Sequence, residues 1–149
     1  MKTCKDVMTK SVVTADLKDT VINVARQMDA ANVGSIPVVS NRDTQELVGI
    51  LSDRDIVIRV VAPNLNAHTT SVNEVMTPLV FSCHPDDSLD TAMAKMAEHQ
   101  VRRIPIVDDS NRIMGIIAQA DVARYVDLQV TGKVVEEISE ETTKHKLAP

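Results

Sequence analysis

Two polar residues that follow a hydrophobic run form the sharpest candidate binding element in this sequence. Ser52 and Asp55 come directly after Gly49-Ile50-Leu51 and stand three positions apart, so a helix that begins at Ser52 holds both side chains at its N-terminus. Unpaired N–H groups at such an end attract anions. The hydroxyl can bond a phosphate or a sugar, and the carboxylate can accept from a ribose diol. The same spacing is also that of a helix-capping box that binds nothing, and both interpretations stay open.

A second copy of this element separates the two interpretations. Residues 115–121 read Gly-Ile-Ile-Ala-Gln-Ala-Asp, so Asp121 is present although Ala118 replaces the serine. A cap depends on its first position more than on its fourth. An aspartate without its cap therefore slightly favours a binding role, although an acidic first turn also suits the helix dipole.

Two arginines stand at the entrance of a hydrophobic run. Arg102 and Arg103 precede Ile104-Pro105, where the matching earlier stretch reads Val33-Gly34-Ser35. Guanidinium groups pair bidentately with phosphate, so the pair is a candidate phosphate clamp. A solvated pair, bridged to Glu98, is the alternative.

Catalytic and metal-binding patterns are missing from the sequence. The four histidines form neither H-x-x-x-H nor H-E-x-x-H, and no G-x-S-x-G, phosphate-binding P-loop or G-x-G-x-x-G occurs. We therefore expect no catalytic residue, no metal ligand and no prosthetic group, and we predict that the protein is not an enzyme.

The chain contains an internal repeat. Residues 6–9 recur as 74–77 and residues 36–39 as 104–107, both at an offset of 68, whereas residues 49–51 recur as 115–117 at an offset of 66. The length change falls in a polar stretch, 40–46 against 108–112, as hairpin turns tolerate. We predict two repeats, 1–66 and 67–130, followed by a charged tail, 131–149, that is partly helical or disordered.

Each repeat predicts the same βαββα order. The pattern indicates a short strand, a helix capped by Thr20 or Ser88, two hairpin strands and a closing helix. The predicted elements are a first strand at 12–14 and 80–82, hairpin strands at 36–39 with 47–51 and 104–107 with 113–117, and closing helices at 56–61 and 122–126. A unit of about 60 residues buries its sheet poorly by itself. The fold class is therefore α/β (α+β), with two units packed sheet to sheet about a pseudo-twofold axis and clefts between them.

Composition argues against two classes of partner. A net charge of −5 and only one Phe, one Tyr and no Trp speak against nucleic-acid binding and a basic membrane patch. No apolar run approaches the roughly 18 residues of a membrane span, and the first residues lack the apolar core of a secretory signal. Cys4 and Cys83 form no C-x-x-C pair, so we expect reduced thiols and a cytoplasmic protein.

Together these motifs resemble a tandem CBS (cystathionine β-synthase) domain pair, also called a Bateman module. The resemblance rests on the duplicated D/E-V-M-T starts, the I-P-V-V strands and the Ser52–Asp55 element, and it spans about residues 3–130. Residues 52–57 and 99–105 are similar to small stand-alone bacterial two-CBS proteins. The family implies an adenosyl ligand (AMP, ADP, ATP or, less often, S-adenosylmethionine), held in up to two clefts, and a homodimer.

The resemblance also implies site residues. In the first cleft Asp55 would bind ribose, Val101 would flank adenine, and Arg102 and Arg103 would face phosphates. In the second cleft Asp121 and Val33 would play the ribose and adenine roles, and Ala118 departs from the usual Ser or Thr. The first cleft comprises Ser52, Asp55, Val80, Phe81, Ser82, Val101, Arg102 and Arg103, and the second comprises Val13, Thr14, Val33, Gly34, Ile36 and Asp121.

The function implied is that of a regulatory sensor of adenine nucleotides that acts by ligand-dependent conformational change on an unknown protein partner. The alternatives are a ligand-free homodimeric scaffold and a module for S-adenosylmethionine.

Overall fold

The computed structural model describes residues 2–78 and 81–126. In chain order its elements are α1 (Cys4–Val7), β1 (Ala15–Asp16), α2 (Val21–Ala31), β2 (Ser35–Val39), β3 (Leu47–Ser52), α3 (Asp53–Ile56) running into a π-helical turn (Val57–Val61), α4 (Val72–Val75), β4 (Thr77–Pro78), α5 (Leu89–His99), β5 (Arg103–Val107), β6 (Ile113–Ala118) and a helix over residues 119–126, here α6. The mixed α/β class with two repeated units is confirmed.

Two sheets carry the repeat. One has the order β1-β2-β3-β4, with β1 parallel to β2 and the other pairs antiparallel, and the other consists of β5 and β6. The predicted hairpins are confirmed, and their registers match: Ile36 faces Leu51 in the first and Ile104 faces Ile117 in the second.

The helices α2 and α5 begin and end alike. Thr20 Oγ1 accepts a hydrogen bond from the Asn23 N–H, and Ser88 Oγ accepts one from the Thr91 N–H, so both predicted caps are confirmed. Each helix buries one apolar face, formed by Val21, Val24 and Met28 in α2 and by Leu89, Ala92 and Met96 in α5.

The predicted first strands are wrong by a few residues. In the first repeat the strand is Ala15–Asp16, because Ala15 is fully buried and pairs with Val38, whereas Val13 is 42% exposed. In the second, Phe81 and Ser82 are not in a strand, and Cys83 forms a single parallel bridge to Ile106. Burial rather than β-propensity decides which residues reach the sheet. Val80 lies outside the described residues, as does the predicted tail.

The leading segment of each repeat packs on the other repeat. Thr9 pairs with Ile116 through two backbone hydrogen bonds of 2.9 and 3.0 Å, and Thr77 pairs with Ile50. Val72 and Val75 belong to the core that contains Ile36 and Leu51, which we call the first core. Cys4 belongs to the core that contains Ile104 and Ile117, which we call the second core. Residues 3–9 therefore pack on the second unit and residues 71–78 on the first. We call this the exchange of the leading segments.

Gly49 and Gly115 make this exchange possible. A Cβ at Gly49 would lie 2.7 Å from the Thr77 carbonyl oxygen and 2.8 Å from Met76 Sδ. At Gly115 it would lie 2.6 Å from Met8 Sδ and 2.9 Å from the Thr9 carbonyl oxygen. Only a residue without a side chain lets the exchanged backbone approach so closely.

The units also meet through their hairpin ends. The Leu47 N–H donates to the Asn111 carbonyl and the Ile113 N–H to the Gln45 carbonyl, each at 2.9 Å. Under the repeat offset of 66, Leu47 corresponds to Ile113 and Gln45 to Asn111, so each bond is the counterpart of the other. This reciprocity is what the predicted pseudo-twofold axis requires.

Candidate functional site

The Ser52 element has the geometry of a full capping box. The Asp55 N–H donates to Ser52 Oγ and the Ser52 N–H donates to Asp55 Oδ2, both at 3.0 Å. Both side chains are partly buried at the start of α3. The capping interpretation is therefore satisfied without a ligand, while a role of Asp55 in ribose binding stays a prediction.

Thr77 adds a further bond to the same carboxylate. Its Oγ1 donates to Asp55, 3.1 Å from Oδ1 and 3.3 Å from Oδ2. Thr77 lies in the exchanged strand β4, so this contact ties the start of α3 to the segment that crosses from the second repeat. Sequence reasoning missed Thr77, because nothing in its spacing relates it to Asp55.

The start of α3 also rests on the beginning of β2. The Asp53 N–H donates to the Gly34 carbonyl at 2.8 Å, and a Cβ at Gly34 would lie 3.1 Å from Asp53 Oδ2. The reason is the antiparallel register, which pairs Ser35 with Ser52. Val33 and Gly34, predicted for the second cleft, therefore lie with the Ser52 element of the first.

A cavity of about 510 Å³ opens at this junction, within the size range of small-molecule sites. Its polar wall consists of Asp29, Asn32 and Asp53, and its remaining lining residues are Ala25, Met28, Val33, Gly34, Ile56 and Val57. We call it the first-repeat cavity. Sequence reasoning missed Asp29 and Asn32, whose only signal is their place at the end of α2, next to Val33.

The second repeat forms an equivalent junction. The Gln119 N–H donates to the Arg102 carbonyl at 2.8 Å, and Arg103 pairs with Ala118. Arg102 is exposed. Arg102 and Arg103 thus lie beside the helix start that leads to Asp121, although the prediction placed them with Ser52 and Asp55. Asp121 Oδ1 accepts from Arg124 Nη2 at 2.8 Å.

The remaining residues of the predicted first cleft lie with the second core. The Phe81 ring stacks on the His99 ring, with centroids 4.2 Å apart and planes 9° apart, and Phe81 and Val101 pack against the second core. The Ser82 carbonyl accepts from Lys95 Nζ at 2.7 Å. Among the described residues no hydrogen bond joins this group to Ser52 or Asp55.

The remaining residues of the predicted second cleft differ in exposure. Val13 is exposed and Thr14 partly buried, whereas the Ile36 side chain is fully buried in the first core. Ile36 can therefore contribute backbone atoms but not its side chain.

A second cavity, of about 610 Å³, lies between the chain start, α5 and α6. Lys2, Leu89, Asp90, Met93, Val122, Ala123, Tyr125 and Val126 line it. Nothing in the sequence patterns pointed to it, because its three segments meet only through tertiary packing.

Residues 2–78 and 81–126 contain no group of three or more His, Cys, Asp or Glu side chains arranged to hold a metal ion. No helix in that part of the chain combines the length and hydrophobicity that a bilayer crossing requires.

Comparison with known proteins gives consistent matches to one family. The profile of the CBS domain matches residues 4–62 and 72–128. The CBS domain-containing protein YhcV of Bacillus subtilis is 42% identical over 123 residues, covering 83% of this chain and 84% of that protein. Hypoxic response protein 1 of Mycobacterium tuberculosis is 32% identical over 126 residues, covering 85% and 86%.

Solved structures agree in fold. Hypoxic Response Protein I, a structure with two coordinated zinc ions, superposes with a TM-score of 0.75 at 32% identity, covering 83% of this chain and 98% of that one. The CBS domain pair of protein MJ0100, in complex with 5′-methylthioadenosine and S-adenosyl-L-methionine, gives 0.74 at 27% identity, covering 87% and 98%. With both repeats matched and most of each relative covered, the chain belongs to the CBS domain family as a tandem pair.

Proposed function

We propose that this protein is a regulatory module that binds an adenosyl ligand where a helix start meets the beginning of a strand, and that changes its conformation when the ligand is bound. The observation that carries the proposal is the first-repeat cavity, which has a volume of about 510 Å³ and is lined by three polar side chains and by mostly apolar residues. The adenosyl complex of the MJ0100 domain pair supports this class of ligand. AMP, ADP and ATP remain the nucleotides proposed from the sequence, with S-adenosylmethionine as the alternative.

The position of the cavity suggests how binding changes the protein. Asp53 lines the cavity, and two residues later Asp55 bonds Thr77 of the exchanged strand. A ligand that moves the start of α3 therefore also acts on the segment that crosses between the repeats. Such a ligand favours one arrangement of the repeats, and a partner protein would recognise that arrangement.

Isothermal titration calorimetry with AMP, ATP and S-adenosylmethionine tests the proposal. We expect micromolar binding, which corresponds to about −8 kcal/mol. The variant Ala25→Met fills the first-repeat cavity with the residue type that the second repeat has at the equivalent position, Met93, and should abolish binding there. Ala94→Met, on the exposed side of α5, is the control. If millimolar ligand produces no heat and no thermal shift, the proposal is contradicted.

We propose a binding role rather than catalysis. ATP should remain unchanged after long incubation with the protein, and turnover of any adenosyl compound would overturn this part of the proposal. We propose no nucleic-acid or membrane partner. The two buried free cysteines, Cys4 and Cys83, fit the reducing cytoplasm in which we place the protein.

We further propose that the protein is a homodimer. Ile58, Val61 and Leu65 are large apolar residues that are each about half exposed or more and follow one another along one helical stretch and its end. A second copy of the chain would cover this face. Val61→Asp, at the most exposed of these positions, should give a monomer in light scattering, whereas Val13→Asp should not. A ligand-free scaffold would dimerise in the same way but remain silent in the calorimeter.

A further inference from the structure

The two repeat junctions are equivalent in backbone geometry but opposite in charge. Asp53 donates its N–H to the Gly34 carbonyl, and Gln119 donates its N–H to the Arg102 carbonyl, both at 2.8 Å. Gly34 and Arg102 correspond under the repeat offset of 68, and Asp53 and Gln119 under that of 66. The first junction thus has a carboxylate where the second is neutral, and lacks a side chain where the second has a guanidinium.

The rest of the first-repeat cavity strengthens this negative charge. Asp29 and Asp53 both line it, and no lysine or arginine is among its described lining residues. The nearest arginines in sequence, Arg26 and Arg54, adjoin lining residues without lining the cavity themselves. Neither aspartate is paired with a cation among the salt bridges between described residues.

A phosphate in this cavity would face two unpaired carboxylates. Like charges a few ångströms apart repel each other, and because Asp29 and Asp53 are both exposed, this repulsion is strongest at low ionic strength. Apolar walls and an amide suit a nucleoside. A positive group next to the ribose would gain from the same carboxylates that repel a phosphate.

We infer that the first-repeat cavity selects adenosyl ligands that lack phosphate, uncharged or positively charged, over AMP, ADP and ATP. Phosphate recognition belongs instead to the Arg102 junction. This inference rests on the proposed function, because it names the ligand class of the same cavity.

A reciprocal exchange of residues between the junctions tests it. Asp53→Gln gives the first junction the residue of the second, and Arg102→Gly gives the second junction the residue of the first. Titration calorimetry at low ionic strength measures the affinities of 5′-methylthioadenosine, which is uncharged, and of AMP. The Ala25→Met variant identifies which heat comes from the first-repeat cavity.

We expect the Ala25→Met variant to lose the methylthioadenosine binding of the wild type but to keep its AMP binding. Asp53→Gln combined with Asp29→Asn should raise the AMP affinity of the first-repeat cavity at least about tenfold, or 1.4 kcal/mol, and change that for methylthioadenosine less than about threefold. Arg102→Gly should weaken AMP alone. The gain in AMP affinity should shrink as salt is added.

Two results would overturn the inference: AMP binding in the first-repeat cavity of the wild type as tight as that of methylthioadenosine, or equal effects of Asp53→Gln on both ligands. Failure of every adenosyl compound to bind is a different result, since it contradicts the proposed function itself.

Discussion

The Thr77 hydroxyl donates to the Asp55 carboxylate at 3.1 Å, and so joins the first turn of α3 to a strand that enters from the second repeat. The same carboxylate accepts the Ser52 N–H at 3.0 Å. A ribose diol at Asp55 would have to share or displace these bonds. The Asp55 side chain therefore caps α3, contacts the segment from the second repeat and is the side chain predicted to bind the ribose.

Asp55→Ala should destabilise the ligand-free protein. It removes the reciprocal capping bond and leaves the Thr77 hydroxyl without this acceptor, so we expect a loss of about 1–2 kcal/mol in the free energy of unfolding. Urea denaturation measures it. Asp121→Ala is the matched control, because Ala118 leaves that helix start without a serine cap, and its cost should be smaller. Unchanged stability together with lost ligand affinity would indicate ribose binding instead.

Gly49→Ala and Gly115→Ala should both destabilise the fold. The added methyl groups would lie 2.7 Å from the Thr77 carbonyl oxygen and 2.9 Å from the Thr9 carbonyl oxygen, which are both backbone atoms, so the exchanged segments must move. Overpacking of this kind costs about 1–3 kcal/mol.

Gly34→Ala is the control for these glycine variants. Its closest contact would be 3.1 Å to Asp53 Oδ2, the free end of a side chain that can move. Thermal denaturation should show a clearly smaller shift for this variant than for the other two. Equal shifts for all three would mean that loss of glycine flexibility, and not the close approach of the exchanged segments, explains the effect.

Gln100→Gly should stabilise the protein modestly. Gln100 and Asn32 end α5 and α2 in the left-handed conformation, both with φ of 55°. This conformation costs a glutamine more than an asparagine or a glycine. We expect a gain of about 0.5 kcal/mol for Gln100→Gly and close to zero for Asn32→Gly, after the entropy that glycine adds to the unfolded chain. A loss of stability at Gln100 would contradict this explanation.

Stability should fall at alkaline pH because of the buried thiols. Burial, with help from nearby Cys83 and Asp87, raises the pKa of Cys4 from 9.0 to about 12, and burial also raises the pKa of Cys83. The folded state therefore holds its thiol protons where the unfolded state releases them. This contribution is complete below pH 9 and is lost as the pH rises from about 9 towards 12.

Urea denaturation at pH 8 and pH 10 measures this loss, and the double variant Cys4→Ala, Cys83→Ala is the control. Lysine titration is common to both proteins, so the double variant should show the smaller loss. An equal loss in both would exclude the thiols as the cause. Native protein should also react slowly with a thiol reagent, since both cysteines are fully buried.

The sequence alone determined the repeat, the two hairpins, the helix caps at Thr20 and Ser88, and the capping geometry of Ser52 and Asp55. These features depend on residues close together in the chain or on a periodic apolar face, which local spacing encodes. The resemblance drawn from the same motifs identified the family correctly.

Only the tertiary structure decided how these parts combine. The contact of Thr77 with Asp55 and the packing of Cys4 in the second core depend on the exchange of the leading segments, for which chain order offers no signal. The antiparallel register places Gly34 beside Asp53 and Arg102 beside Gln119 within each repeat. Contacts between distant residues follow from strand pairing and burial. The charge of each junction therefore depends on the tertiary structure and could not be predicted from the sequence.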